Sequence, residues 1–224
     1  LEKQADGSYA KILREVAFYT DLRTGEILEE WENPMTNETV RVVPIANDPF
    51  NYVIEDYFPE PPKFGDLNTE EIPKIPFILP WQQRGDRLDM GIHINLFYPN
   101  AMDPTKWVRE SSGPMVQVSE GFAYHVDANK MQDSSYTSLP YSGTWNRITP
   151  WLPWMLMGQT PGHIIYSAFM GSGEDLEQIH IRQLLDHVEK NYNKYFTAPE
   201  TYDPKTPSLS SLELYAIEQE PSKG

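Results

Sequence analysis

Two apolar periods run through the chain, and they change over near residue 171. Before it, apolar and polar side chains alternate along short runs, the period of a half-buried strand. In "AKILREVAFYTD", Ile12, Arg14, Val16 and Phe18 share one face, and Leu13, Glu15, Ala17 and Tyr19 the other. "DLRTGE" supplies a turn, with Gly25 available for positive φ. "ILEEWENP" predicts a second strand, "MTNET" a second turn, and "VRVVPIANDPFNYV" a third strand interrupted by Pro44. "IPFILPWQQ" and "RLDMGIHINLFYP" predict two strands joined at Arg84-Gly85-Asp86, read as a hairpin turn in preference to an adhesion motif. "MVQVSEGFAYHVDA", "SGTWNRIT" and "GHIIYSAFMG" predict three more.

Beyond residue 171 the period becomes helical. Ile181, Leu184, Leu185, Val188, Tyr192 and Phe196 form one stripe, which predicts a helix over 176–195 with Asp175 and Gln178 as a capping box. "DPTKWVRES" predicts a shorter helical turn capped by Asp103. Prolines and acids dominate 56–74, an extended surface loop, and the tail 200–224 is extended, with "LELYAIE" a final strand or docked segment. The expected architecture is mainly β, a single domain over 1–224. It is an antiparallel, lipocalin/calycin-like barrel of about eight to nine strands with one C-terminal helix. A barrel of about eight strands is wide enough to hold one small ligand.

One segment fits neither period. "ITPWLPWMLMGQTPGH" carries Trp151 and Trp154 with a proline before each. Pro150 and Pro153 hold Thr149 and Leu152 extended, so the segment is a stiff ribbon. Residues three apart on such a ribbon point to roughly opposite sides. One tryptophan is therefore expected in the core, with the other lining a cavity or covering its mouth.

Composition narrows the classes of function. The 224 residues carry 33 acids and 18 bases, a formal charge of -15, and there is no basic stripe to neutralise nucleic acid phosphates or a membrane surface. No apolar run approaches the ~20 residues of a membrane helix. The absence of cysteine rules out disulfides, thiol nucleophiles and cysteine metal sites. Asn37-Glu38-Thr39 is read as a polar turn and "MGSGED" as a turn before the helix. Neither compartment nor oligomeric state follows; a homo-oligomer stays open.

Three blocks carry a family resemblance: "REVAFYTDLRTGEILEEWENPMTNETVRVVPIANDP", "WNRITPWLPWMLMGQTPGH" and the helix running into "NYNKYFTAPETY". Together they resemble the domain of unknown function 1838 family of bacterial and fungal proteins. The resemblance implies a β-rich fold and further chain N-terminal to Leu1. It carries over no catalytic residue.

Candidate chemistry is scattered over the strands. His93 and His125 are candidate general bases, and one cavity could also draw in His163. His180 and His187 flank the helix, two turns apart, too far to share a metal. Arg14 and Glu15 are adjacent on one strand and point to opposite faces, so one looks inward. Arg147, with Trp145 on its own face, marks a buried ion pair or a site for an anionic group. Asn47, Asp48 and Asn51 build a turn. Catalytic candidates are thus His93, His125, Arg147 and Glu15; ligand-binding candidates are Trp151, Trp154, Trp145, Tyr124, Asn95, Phe97 and Trp31. No metal or cofactor is implied. The expected ligand is a hydrophobic, aromatic or polyketide/terpenoid-like small molecule. The protein is then an acid–base isomerase, cyclase or lyase, a non-catalytic carrier, or a structural protein with no cavity.

Overall fold

Long alternating runs make long strands, and the largest unit of the fold is built from them. The computed structural model describes residues 2–57, 76–136, 138–172, 177, 181–203 and 208–222. In chain order the strands are β1 (Glu2–Lys3), β2 (Tyr9–Lys11), β3 (Glu15–Ala17), β4 (Glu30–Asn33), β5 (Glu38–Arg41), β6 (Ile45–Asn47), β7 (Tyr52–Ile54), β8 (Gln82–Arg84), β9 (Arg87–Pro99), β10 (Met115–Asp127), β11 (Tyr141–Thr149) and β12 (Ile164–Gly171). Helices α1 (Ala128–Gln132), α2 (Arg182–Asn191) and α3 (Ser211–Glu218) complete the list, with 3-10 turns at Pro153–Met155 and Asn193–Phe196.

Strands β8 to β12 form one antiparallel sheet in the order β12-β11-β10-β9-β8. The Arg84–Asp86 stretch is the expected hairpin turn: Arg84 pairs with Arg87 and Gly85 sits at φ 66°. The remaining strands make three smaller antiparallel sheets, β1-β2-β7, β3-β6 and β4-β5. The fold is mainly β, as alternation predicts. Among the described residues, however, no ladder closes the sheets into a barrel. The short strands lose their continuity at Pro44 and at the polar turns, so the first fifty residues make separate ribbons instead of three long staves.

Pleating gives the five-stranded sheet two unlike faces. The inner face carries Met90, Val116, Val118 and Thr149, all buried. The outer face carries Gly91, His93, Asn95, Phe97 and His125, which are exposed. The core centres on Val40, Val42, Trp154, Met155 and Met157, with Tyr19, Trp31, Trp151 and Tyr215 packed around it. Asn33, fully buried, ties the β4–β5 hairpin to the proline-rich ribbon: its amide donates to the Met155 carbonyl at 3.0 Å and its oxygen accepts from the Met35 N–H at 2.9 Å. The ribbon is not fully extended. Pro153 opens a single 3-10 turn, and Leu156 ends it in the left-handed region at φ 54°.

Helix α2 falls within the expected 176–195 and buries Leu185 and Val188. The expected cap at Asp175 and Gln178, residues 58–74 of the expected loop 56–74, and His180 lie outside the described residues. "LELYAIE" is helical: Ser210 and Glu213 form a capping box that starts α3, which docks beside β6. "DPTKWVRES" makes the helical turn, not a longer helix: the Trp107 N–H donates to the Asp103 carbonyl at 2.8 Å, and the Asp103 carboxylate caps the turn by accepting from the Thr105 N–H at 2.8 Å.

Candidate functional site

Alternation on β11 puts Trp145 and Arg147 on the inner face, two residues apart. Across the β10–β11 ladder Arg147 meets Glu120, and their side chains pair at 3.1 Å. Across β11–β12 Arg147 meets Tyr166 and Trp145 meets Ala168. The Tyr166 ring tilts over Trp145 with centroids 5.6 Å apart. Glu15 faces this group from β3, and Tyr19 and Tyr98 lie within the field of Arg147. The result is one cation among two carboxylates and three phenols, against an indole.

The two carboxylates stand in different environments. Glu120 holds the guanidinium directly. Glu15 is half-buried; desolvation pushes its carboxyl above the usual range, and the Arg147 charge only partly offsets this. Burial likewise raises the Tyr19 and Tyr98 hydroxyls, and that of Tyr166 most strongly.

Two buried donors here lack acceptors: the Arg147 Nε and the Trp145 Nε1. The Trp154 indole lies against Tyr19, ring centroids 5.2 Å apart, with its N–H beside the Tyr19 hydroxyl. A buried donor without a partner costs about 1–3 kcal/mol. Native structures tolerate few of them, and such groups are candidates for ligand contact. Tyr19 connects the cluster to two concavities. One is a crevice of about 30 Å³ between Trp154, Leu152 and α3 residues Leu214 and Tyr215. The other is a cleft of about 320 Å³ where Phe18, Tyr19, Arg41, His187 and Tyr192 meet.

The structure brings together Glu15, Arg147 and Trp145 from the sequence candidates. Trp154 is buried beside them, with Trp31 edge-on to it at 5.8 Å. Tyr124 shares the inner face but sits farther along β10, stacked with Phe122. His93, Asn95, Phe97 and His125 lie on the outer face, turned away from Arg147. There His125 Nδ1 bonds Asp89 at 2.7 Å, and that bond, with Arg87, holds the Asp89 carboxyl below its usual range. His163 is exposed just before β12. Trp151 is half-buried, donates to the Thr160 carbonyl at 3.0 Å and borders neither concavity above.

Of the adjacent pair, Glu15 is the inward one. Arg14 turns out to Asp48 at 2.8 Å, which Lys194 also pairs at 2.8 Å. Asn47 and Asn51 clamp the chain as well: Asn47 is buried and donates to the Leu209 carbonyl, and Asn51 accepts from the Leu13 N–H at 3.1 Å. Glu120, Tyr19, Tyr98 and Tyr166 were not singled out by sequence. Glu120 had a signal: it is the lone charge on a face otherwise made of Val116, Val118, Phe122, Tyr124 and Val126. Among the described residues, no group of three or more His, Asp or Glu side chains is placed to hold a metal ion.

The family model described as protein of unknown function (DUF1838) matches residues 1–216. The chain therefore belongs to that family, as the three sequence blocks imply. No curated protein and no solved structure matches the chain.

Proposed function

We propose that the inner face around Arg147 binds a small, largely apolar organic molecule that carries a hydrogen-bond-accepting group. Glu15 would then act on it as acid–base catalyst in an isomerisation, cyclisation or lyase cleavage. One observation carries this reading: the buried Arg147 Nε and Trp145 Nε1 donors lack acceptors on the face where Arg147 meets the desolvated Glu15 carboxyl. A carbonyl or carboxylate would satisfy those donors, while Trp145, Tyr166 and Tyr19 offer apolar walls for the rest of the molecule. In its protonated form Glu15 can donate to an oxygen acceptor, and in its ionised form it can remove a proton from carbon beside it. The lipocalin-like part of the reading rests on an antiparallel sheet that presents its inner face to the β3–β6 ribbon and the Pro153–Met155 turn.

Titration with a panel of aromatic and terpenoid ketones and carboxylates tests the reading, with tryptophan fluorescence as the readout. Quenching that weakens at least tenfold in Arg147→Met supports the site. Turnover of a bound compound, abolished in Glu15→Gln while quenching persists, supports the enzyme; quenching without turnover in the parent supports a carrier with the same pocket. Equal quenching in the parent, Arg147→Met and a Trp145→Phe variant would sink the reading.

A further inference from the structure

Strand β12 is the outermost strand of the five-stranded sheet, and among the described residues no strand pairs with its second edge. Exposed edges are normally blunted by charge, proline or a bulge. β12 has none of these: it reads "IIYSAFMG", and its register with β11 is unbroken from Ser142–Gly171 to Thr149–Ile164. Its outer-face side chains are strongly apolar and strongly exposed, Ile165 at 73% and Phe169 at 95%.

The hydrogen-bond parity of this edge follows from the ladder. The Ser172 N–H donates to the Tyr141 carbonyl at 3.2 Å, so that pair and every second pair along β11–β12 are hydrogen-bonded. Ile164, Tyr166, Ala168 and Met170 therefore spend their backbone groups on β11. Ile165, Ser167, Phe169 and Gly171 turn theirs outward. The four residues that expose backbone donors and acceptors are thus also those on the outer face.

We propose that β12 pairs antiparallel with β12 of a second copy of this chain, about a two-fold axis at Ser167, joining two sheets edge to edge. The side-chain pattern is self-complementary about that axis. Ser167 meets the second copy's Ser167, and Ile165 meets its Phe169 on both sides. The β11 neighbours extend each row: Ile148 pairs with Ile165, Asn146 with Ser167 and Thr144 with Phe169. Two apolar rows, Ile148–Ile165–Phe169, then flank a polar row in which the Ser167 hydroxyl already donates to Asn146 at 3.0 Å. Slipping the register by two residues sets Phe169 against Ser167, and slipping it by one moves every side chain to the other face. Of the registers that pair outward-facing residues with one another, only the Ser167-centred one matches apolar to apolar and polar to polar. The edge carries no charge, so the -15 of the chain sets no like charges directly against one another along the ladder.

The test measures mass in solution by light scattering across a range of concentrations, with circular dichroism to check folding. The parent is expected at twice the chain mass. Phe169→Lys and Ser167→Pro should both run as folded monomers. Both residues face outward, and the proline removes an N–H that β11 does not use. The chain has no cysteine, so Ser167→Cys places a single reporter on the axis. Hydrogen-bonded pairs hold Cα atoms about 5.5 Å apart, within disulfide reach. Ser167→Cys should therefore cross-link to a dimer under oxidation, while Ile165→Cys, several residues from its own copy, should not. A parent that stays monomeric at every concentration overturns the proposal, as does a dimer that survives Phe169→Lys and Ser167→Pro. Cross-linking at Ile165→Cys but not at Ser167→Cys overturns the register.

Discussion

Glu15 and Arg147 interact across the inner face, and their energetics make opposite predictions. The folded state raises the Glu15 carboxyl above its unfolded value, chiefly by desolvation. The folded protein then binds the extra proton, and stability falls as pH rises through the folded value. Glu15→Gln, which cannot ionise, should be at least as stable as the parent at pH 7. Its advantage should vanish below the unfolded carboxylate range, which denaturant titrations at several pH values will show. A variant less stable than the parent at pH 7 would mean that the Arg147 attraction outweighs desolvation. Arg147→Met should cost about 1–3 kcal/mol, the scale for stranding a charge, because Glu120 loses its ion-pair partner and Glu15 its offsetting cation. The side chains of this pair are 30% and 15% exposed, which keeps the cost below that of a fully buried pair. Combining it with Glu120→Gln should recover part of the loss, and the double-mutant cycle reads the coupling directly. That one of Arg14 and Glu15 faces inward, and that Arg147 is a charge on the face of Trp145, was legible from alternation alone. That Glu15 meets Arg147 was not legible, since β3 and β11 are far apart in sequence and share no ladder.

Strand identity was readable wherever one strand pairs with its sequence neighbour. β9, β10, β11 and β12 follow the alternating runs closely because a half-buried ladder demands that period. Of the two readings for α3, strand or docked segment, the second holds, as a helix docked beside β6; its eight residues are apolar on several sides, and only the Ser210–Glu213 capping box marks its start. Ser210→Ala should remove that cap at a cost of about 0.5–2 kcal/mol. The loss should show first as increased exchange of the α3 amides, with the five-stranded sheet unaffected; unchanged α3 exchange would mean that docking against β6, not the cap, holds the helix. The proline ribbon is tighter still. A Cβ on Gly162 would sit 2.4 Å from Trp151 Cζ2, and its φ of 145° is one that side chains rarely adopt. Gly162→Ala should destabilise by about 1–3 kcal/mol or more, through overpacking and backbone strain together. Gly7→Ala has open space around its Cβ and should cost only the backbone part. Equal midpoints for the two variants in urea would show that the Trp151 contact is soft.

The barrel expectation came from counting strands, and a count says nothing about closure. Closure needs pairings between strands far apart in sequence, and alternation carries no information about them. The described strands instead form one broad sheet and three small ones, which distributes stability unevenly. β10 is paired along its length on both sides, with β9 from Met115 to Asp127 and with β11 from Ser119 to Val126. Its inner face also buries Val116 and Val118. Opening it requires breaking two ladders and exposing that surface, so its amides should exchange only through near-global unfolding. The β3–β6 and β4–β5 ribbons have one partner each and three or four residues a side. They can open without disturbing the large sheet. Hydrogen exchange followed by mass spectrometry should therefore rank β10 slowest, β9 and β11 next, and the two ribbons fastest of the paired segments. Glu15 rides on one of those fast ribbons while Arg147 sits on the slow sheet. The candidate site thus joins a rigid wall to a movable one, and a bound ligand bridging them should slow exchange in β3 and β6 far more than in β10. If the β3–β6 ribbon proves as protected as β10 without ligand, the two sides form one rigid unit and the movable wall does not exist.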